Sequence, residues 1–107
     1  MKYMMFVCTD TEPETDESQV PDIHAWVAEN EASGRRVDGS VLAPTSSATT
    51  VRVRGGELLI SDGPFAETKE VIAGFDILEC ADLDEAIEVA RTHPMAWGGR
   101  VELRPFA

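Results

Sequence analysis

The sequence contains few of the residue patterns that hold metals, disulfides or phosphates. Its two cysteines, Cys8 and Cys80, lie far apart in apolar runs, which favours reduced structural thiols over a zinc pattern or a secreted disulfide framework. The two histidines, His24 and His93, have no metal-ligand partner at helical spacing. There is also no glycine-rich phosphate loop and no nucleophile motif. The sequence therefore predicts no cofactor, and a metal site only if both histidines converge with Asp62 in the fold.

Long apolar runs are also missing. The longest early run, Tyr3 to Cys8, is far shorter than a membrane span or the core of a signal peptide. This pattern predicts a cytoplasmic protein. The 107 residues correspond to one domain, 1–107, and the 43% apolar content is too high for a disordered chain.

Basic residues are absent between Lys2 and Arg35, where eight acids give a charge of −8. The rest of the chain has twelve acids and nine bases, or −3, so the total is −11. A surface this acidic repels phosphate backbones and anionic lipids, which excludes non-specific binding to nucleic acid or membranes.

Hydrophobic periodicity predicts the order strand, helix, strand, β-hairpin, strand, helix, strand. Asp22 and Asp82 are expected to cap the two helices, and Gly55-Gly56 to form the hairpin turn. The predicted elements are a strand at 2–8, a helix at 22–33, a strand around 37–42, hairpin strands at 48–54 and 57–61, a strand at 71–80, a helix at 82–91 and a strand at 100–106.

This order predicts a ferredoxin-like α+β fold, an antiparallel sheet with two helices on one face and an inserted β-hairpin. We expect the strands at 2–8 and 71–80 to be parallel central neighbours, with Cys8 and Cys80 near the same end. The uncovered sheet face would be solvated or covered by a second copy of the chain.

Residue spacing also predicts which side chains are buried. The stripe of Leu83, Ala86, Ile87 and Ala90 is expected to face the sheet. In the first helix, Ile23, Trp26 and Val27 define the buried side, which places His24 near its border. In the hairpin, Val51 and Val53 are expected to form the buried face.

Strand alternation places four arginines opposite the apolar positions of their strands. These are Arg52, Arg54, Arg100 and Arg104. We expect all four to share the uncovered sheet face, so that an acidic exterior encloses a basic interior.

The segment DGPFAETKE at 62–70 has an unusual composition, and ATTVRV at 48–53, LDEAIE at 83–88 and VELRP at 101–105 accompany it. Together they resemble the DGPF family within the YCII-related proteins, over essentially the whole chain. The resemblance implies a dimeric α+β barrel, in which two ferredoxin-like sheets face each other across a two-fold axis. It implies less about activity, because the superfamily includes small-ring lactone isomerases, dehydrochlorinase-type enzymes and heme- or quinone-handling monooxygenases. Many DGPF proteins are associated with extracytoplasmic-function sigma factors.

YCII-type relatives have a His-Asp pair proposed as an active site, which implies Asp62 and His24 as catalytic candidates here. Asp62 could act as or orient a general base, or it could accept backbone N–H bonds in an Asx turn. His24 could shuttle a proton, or it could simply pack at the border of its helix.

The candidate ligand-binding residues are Lys69, Glu67, Arg52, Arg54 and His93. Lys69 could bind an anionic group or pair with a neighbouring glutamate, and His93 could instead interact with a helix C-terminus. Phe65 is expected to anchor the motif in the core.

The leading hypothesis is a homodimer that binds a small anionic or carbonyl compound between the sheet and the motif loop, with cofactor-free acid–base chemistry. The first alternative is a regulatory module that binds a protein partner, such as a sigma factor, through the acidic N-terminal segment. The second is a scaffold whose motif stabilises the dimer.

Overall fold

A computed structural model of the chain describes residues 1–13, 16–65 and 70–107. The strands are β1 (Lys2–Thr9), β2 (Arg36–Val41), β3 (Thr49–Arg54), β4 (Glu57–Asp62), β5 (Ile72–Glu79) and β6 (Gly99–Pro105). The helices are α1 (Ile23–Ala32), α2 (Leu83–Arg91) and α3 (Met95–Gly98), and single 3-10 turns lie at Glu17–Gln19 and Thr45–Ser47. The predicted mixed α+β order is confirmed, with α3 as an addition. None of the helices within the described ranges is long and apolar enough to cross a membrane.

The main sheet has the strand order β2-β5-β1-β6, with every neighbouring pair antiparallel. This is the ferredoxin-like arrangement. The predicted parallel pairing of β1 with the 71–80 strand is wrong, because the crossover through α1 makes β1 and β2 parallel and β5 lies between them. Cys8 is therefore opposite Ile72, whereas the Cys80 amide donates to Met1 at the other end of the sheet.

Alternate residues of β1, Tyr3, Met5 and Val7, point toward the helices and form the core with Leu78 of β5. On the helices, the core side chains are Trp26, Ala86, Val89 and Ala90. The predicted stripe of α2 is therefore correct for its alanines and wrong for Leu83 and Ile87, which are exposed. The indole N–H of Trp26 donates to the Val89 carbonyl oxygen at 2.9 Å, which ties α1 to α2.

The two predicted helices, α1 and α2, begin where the sequence predicts. The Asp22 carboxylate accepts the Ala25 amide at 3.0 Å, and the Asp82 carboxylate accepts the Glu85 amide at 2.9 Å. These bonds satisfy N-terminal amides that have no partner within the helix. Pro94 follows α2 and directly precedes α3, because its fixed φ suits the start of a helical turn.

The predicted hairpin forms a separate two-stranded sheet of β3 and β4. Its turn glycines have φ of 57° and 77°, as a type I′ turn requires. Val51 pairs with Ile60 and Val53 with Leu58, and these four side chains are 57–62% exposed. The predicted burial of Val51 and Val53 is thus wrong within the single chain, because the hairpin does not lie on the main sheet.

The predicted gathering of four arginines is wrong for the hairpin pair. Arg52 and Arg54 belong to the two-stranded sheet, whereas Arg100 and Arg104 lie on β6 of the main sheet. Arg104 packs over the Phe6 ring, with its guanidinium carbon 5.4 Å from the ring centroid. The centre of the face turned away from the helices is apolar rather than basic, with half-buried Met4, Phe6, Phe75 and Ile77.

Candidate functional site

A groove of about 710 Å³ opens between the hairpin base and the start of β5. Its walls come from the segment 42–51, from Pro64 and Phe65 of the DGPF motif, and from residues 70–72. Most lining side chains are apolar, and Thr45, Ser47, Thr49 and Thr50 add hydroxyl groups. The groove can thus surround an apolar body and offer hydrogen bonds to a few polar atoms.

The motif turn is fixed to β3 by two hydrogen bonds. The Gly63 amide donates to the Ala48 carbonyl oxygen at 2.8 Å, and the Thr50 hydroxyl donates to the Gly63 carbonyl oxygen at 2.8 Å. Gly63 has φ +97°, a conformation that side chains with a Cβ rarely adopt. The turn therefore holds Pro64 and Phe65 against the groove in a defined orientation.

The opposite wall is fixed to the main sheet. The Thr9 amide donates to the Val71 carbonyl oxygen, and the Val71 amide donates to the Thr9 hydroxyl, both at 2.9 Å. The Leu42 amide donates to the Ala73 carbonyl oxygen at 2.9 Å. Both chain segments that meet at the groove are thereby tied to central strands.

Glu70 is the titratable carboxylate of the groove wall within the described residues. Its Oε1 lies 3.1 Å from Nη2 of Arg100, whose Nε is 2.8 Å from Oδ2 of Asp10. The hydrogen bond from Arg100 lowers the pKa of Asp10, and Asp10 in turn raises the pKa of Arg100. A chain of alternating charges therefore runs from the groove to the loop after β1.

Cys8 is opposite Arg100 in the β1–β6 register. Burial raises the pKa of its thiol, and the nearby Glu102 acts in the same direction, against Arg100. Cys8 is therefore a protonated thiol at neutral pH rather than an activated nucleophile.

The two predicted catalytic residues lie on different elements. Asp62 ends β4 and His24 lies on α1, both are exposed, and neither lines the groove. Within the described part of the chain they form no hydrogen bond or ion pair with each other. The Asp62 carboxylate also takes no part in the two hydrogen bonds of the motif turn. Their catalytic roles stay predictions.

The predicted ligand-binding residues are also dispersed. Glu67 and Lys69 lie outside the described residues. Arg52 and Arg54 are exposed on β3, where Nη1 of Arg54 donates to its neighbour's carbonyl oxygen at 2.8 Å. Phe65 is 86% exposed, so the prediction that it anchors the core is wrong. It is a wall of the groove instead.

His93 belongs to a buried polar cluster beneath the helices. His93 and Asp76 are each 5% exposed, and Nε2 of His93 lies 3.9 Å from Oδ2 of Asp76. The other oxygen of Asp76 accepts Nε of Arg36 at 2.7 Å, and Nη1 of Arg36 pairs with Glu31 at 2.5 Å. The Trp26 ring meets the imidazole edge-on at a centroid distance of 4.6 Å.

Burial lowers the pKa of His93 to about 4, and the Arg36 charge acts in the same direction. Burial also raises the pKa of Asp76, although Arg36 opposes that change. His93 is therefore neutral at pH 7, and since its Nδ1 accepts the Met95 amide at 3.0 Å, the ring proton is on Nε2. The sequence does contain a signal for this cluster. Asp76 lies in the apolar run 71–80, and a carboxylate buried in such a strand needs a cation nearby.

The described part of the chain holds no group of three or more metal-ligating side chains. The fold and the motif turn agree with the family that sequence comparison identifies. The family model of the YCII-related domain matches residues 1–107, and the chain belongs to this family. An uncharacterized protein of Rhizobium meliloti (strain 1021) is 40% identical over 96 residues, which cover 88% of this chain and 77% of that protein.

Proposed function

We propose that this YCII-related protein is a homodimer that binds a small molecule in the groove beside the DGPF motif. The observation that carries the proposal is the groove wall itself, which is made by Pro64 and Phe65 on a turn pinned by Thr50. Ligand sites are typically concave and apolar with a few placed polar groups. The apolar face of the main sheet, with Phe6 and Phe75 at its centre, supports a second copy as its cover.

The groove lining favours a carbonyl compound over an anion. Hydroxyl groups of Thr45 and Ser47 can donate to a carbonyl oxygen. Among the described residues of the wall, the charged group is the Glu70 carboxylate, which repels anions. Lys69, in the same motif, is the alternative partner for an anionic group.

Any chemistry in the groove is cofactor-free proton transfer. Glu70 accepts or donates the proton at the ligand, and Arg100 positions its carboxylate. Asp62 and His24 are the competing pair that the family resemblance suggests, and Asp62 stands two residues before the groove wall.

Binding is tested with the neutral apolar dye N-phenyl-1-naphthylamine, whose fluorescence rises in an apolar site. The wild-type protein should bind it saturably, and Ala48→Phe, which fills the groove, should weaken binding at least tenfold. Ala28→Phe on the exposed side of α1 is the matched control and should leave binding unchanged. Equal binding by all three proteins would refute a groove site.

The acid–base role is tested with the variants Glu70→Gln, Asp62→Asn and His24→Gln. Each protein is incubated with a panel of small lactones and ketones, and NMR measures proton exchange at the carbon next to the carbonyl. Glu70→Gln should abolish exchange. Loss of exchange in the other two variants, with Glu70→Gln fully active, would transfer the role to the Asp62 and His24 pair.

The exposed acids Glu12, Glu29 and Glu31 favour a second candidate, a regulatory module that binds a basic surface of a protein partner such as a sigma factor. The segment 10–31 contains eight acids and no Lys or Arg. A pull-down with a purified sigma factor should then succeed at low salt and fail at high salt, because charge-driven binding is screened. Retention that does not depend on salt would contradict it.

A further inference from the structure

The β3–β4 hairpin exposes an apolar surface that nothing in the described chain covers. Val51, Val53, Leu58 and Ile60 form two cross-strand pairs on one face, each side chain more than half exposed. Phe65 continues this surface at the hairpin base, where it lines the groove together with Val51. An isolated two-stranded hairpin is at best marginally stable in water, so an uncovered apolar face on one needs a cover.

We propose that a second copy of this chain covers the apolar face of the hairpin and thereby closes the groove, so that the ligand pocket is complete only in the dimer. The proposal rests on the function proposed above and assigns the hairpin as the dimer arm. Contiguous apolar patches above a few hundred Å² are rare on monomers, and about 800 Å² per partner is typical of a stable interface.

The shape of the chain fits an arm that reaches a partner. Its radius of gyration is 16.0 Å and its extents are 48 × 33 × 20 Å, whereas a compact chain of this length has a radius near ~13 Å. The six-residue strands of the hairpin, at ~3.3 Å per residue, extend ~20 Å.

The charge distribution identifies a second copy as the occupant. In the hairpin, 49–62, Arg52 and Arg54 balance Glu57 and Asp62, so its net charge is zero and the rest of the chain carries the whole −11. The net negative charges of two such chains repel each other, and this repulsion is weakest where the facing surfaces are neutral. The neutral, apolar arm is therefore a surface through which two copies can approach without charge repulsion.

The test is sedimentation of Leu58→Glu against Ser61→Glu. Both substitutions add one negative charge to β4, but Leu58 lies on the apolar face, whereas Ser61 is exposed on the opposite face, and neither lines the groove. The wild-type protein should be a dimer, Leu58→Glu should raise the dimer dissociation constant at least tenfold, and Ser61→Glu should change it less than threefold. Circular dichroism establishes that both variants are folded.

Salt separates a second copy from another protein partner. Since repulsion between two chains of −11 is screened, the dimer should tighten from 50 to 500 mM NaCl. A wild-type monomer at all salt concentrations, or a Leu58→Glu dimer as tight as that of Ser61→Glu, would overturn the proposal.

Binding of N-phenyl-1-naphthylamine separates this inference from the proposed function. If the pocket is completed in the dimer, Leu58→Glu should weaken dye binding as it dissociates the dimer. If Leu58→Glu is monomeric with unchanged dye affinity, closure of the groove by the partner is refuted, while the groove site itself stands. If Ala48→Phe leaves dye binding unchanged although Leu58→Glu dissociates the dimer, ligand binding in the groove is refuted. The role of the hairpin as the dimer arm then still holds.

Discussion

Asp76 shows how a single side chain depends on its neighbours. The carboxylate lies in the middle of β5 and is almost fully buried, where an isolated charge is strongly destabilising. Arg36 provides a cation at 2.7 Å and is itself held by Glu31. The Asp76–Arg36 pair therefore links the edge strand β2 to the central strand β5.

Loss of Arg36 should be one of the most damaging substitutions in the main sheet. Arg36→Leu leaves Asp76 charged and without its partner, and removal of one member of a buried pair destabilises by about 3–5 kcal/mol. Urea unfolding measures the loss. The double variant Arg36→Leu, Asp76→Leu should be less destabilised than Arg36→Leu alone, and an equal or larger loss would show that the pair is not the cause.

His93 should make the fold sensitive to acid. Its pKa is about 4 in the native protein and 6.5 as a free group, so between these values the unfolded chain binds the extra proton and stability falls as pH falls. The shift corresponds to about 3 kcal/mol in full. Asp76 opposes this in part, because its raised pKa makes the native protein take up a proton before the unfolded chain does.

The measurement is the free energy of unfolding at pH 7, 5.5 and 4.5 for wild type, His93→Gln and the control His24→Gln. His93→Gln should flatten the decrease toward acid, and His24→Gln, on the exposed surface of α1, should keep the wild-type slope. An unchanged slope in His93→Gln would mean that other groups cause the acid sensitivity.

At the scale of elements, the motif turn is a small unit that depends on β3. The Thr50 hydroxyl and the Ala48 carbonyl oxygen are the partners that hold Gly63, so the hairpin and the DGPF motif form one hydrogen-bonded piece. For this reason the motif residues 62–65 shape a groove that is also lined by the segment beginning at Leu42.

Thr50→Val should loosen this turn. The valine is nearly isosteric but leaves the Gly63 carbonyl oxygen without its donor, which should cost about 1 kcal/mol. Thr49→Val is the control, since the described part of the chain gives the Thr49 hydroxyl no hydrogen bond. Chemical denaturation gives the stability, and dye affinity should fall for Thr50→Val only; an equal loss in both variants would assign the effect to polarity of the groove.

The positions of the elements follow from the sequence more closely than their burial does. Asp22 and Asp82 begin the helices as predicted because capping is a local interaction between a side chain and an amide three residues on. The predicted burial of Leu83, Val51 and Val53 is wrong. Alternation in a strand and spacing in a helix predict which side chains share a face, whereas burial depends on what packs against that face.

At the scale of the whole molecule, the charge remains the dominant property. With −11 distributed over a surface whose arm is neutral, the chain repels polyanions. Arg36, Arg91, Arg100 and Arg104 all have acidic partners within the chain, so they neutralise local acids rather than form a basic patch.

The chain should therefore not bind duplex DNA. In an electrophoretic mobility assay at 150 mM salt, no shift is expected up to 50-fold excess of protein. Arg52→Glu, Arg54→Glu removes the exposed cations of the hairpin and should behave identically. A shift that this double variant abolishes would mean that the hairpin, despite the net charge, is a nucleic-acid surface.

The sequence by itself determined the order of the strands and of the two longer helices, the helix caps, the hairpin turn, the acidic charge and the family, because each is encoded within a few consecutive residues or in composition. The tertiary structure alone decided that β1 and β5 are antiparallel, that Arg36, Asp76 and His93 meet in the core, and that Glu70 rather than Asp62 lines the groove. Those outcomes depend on which strands become neighbours, and neighbours up to 90 positions apart, such as Asp10 and Arg100, are set by the packing of the sheet rather than by local spacing.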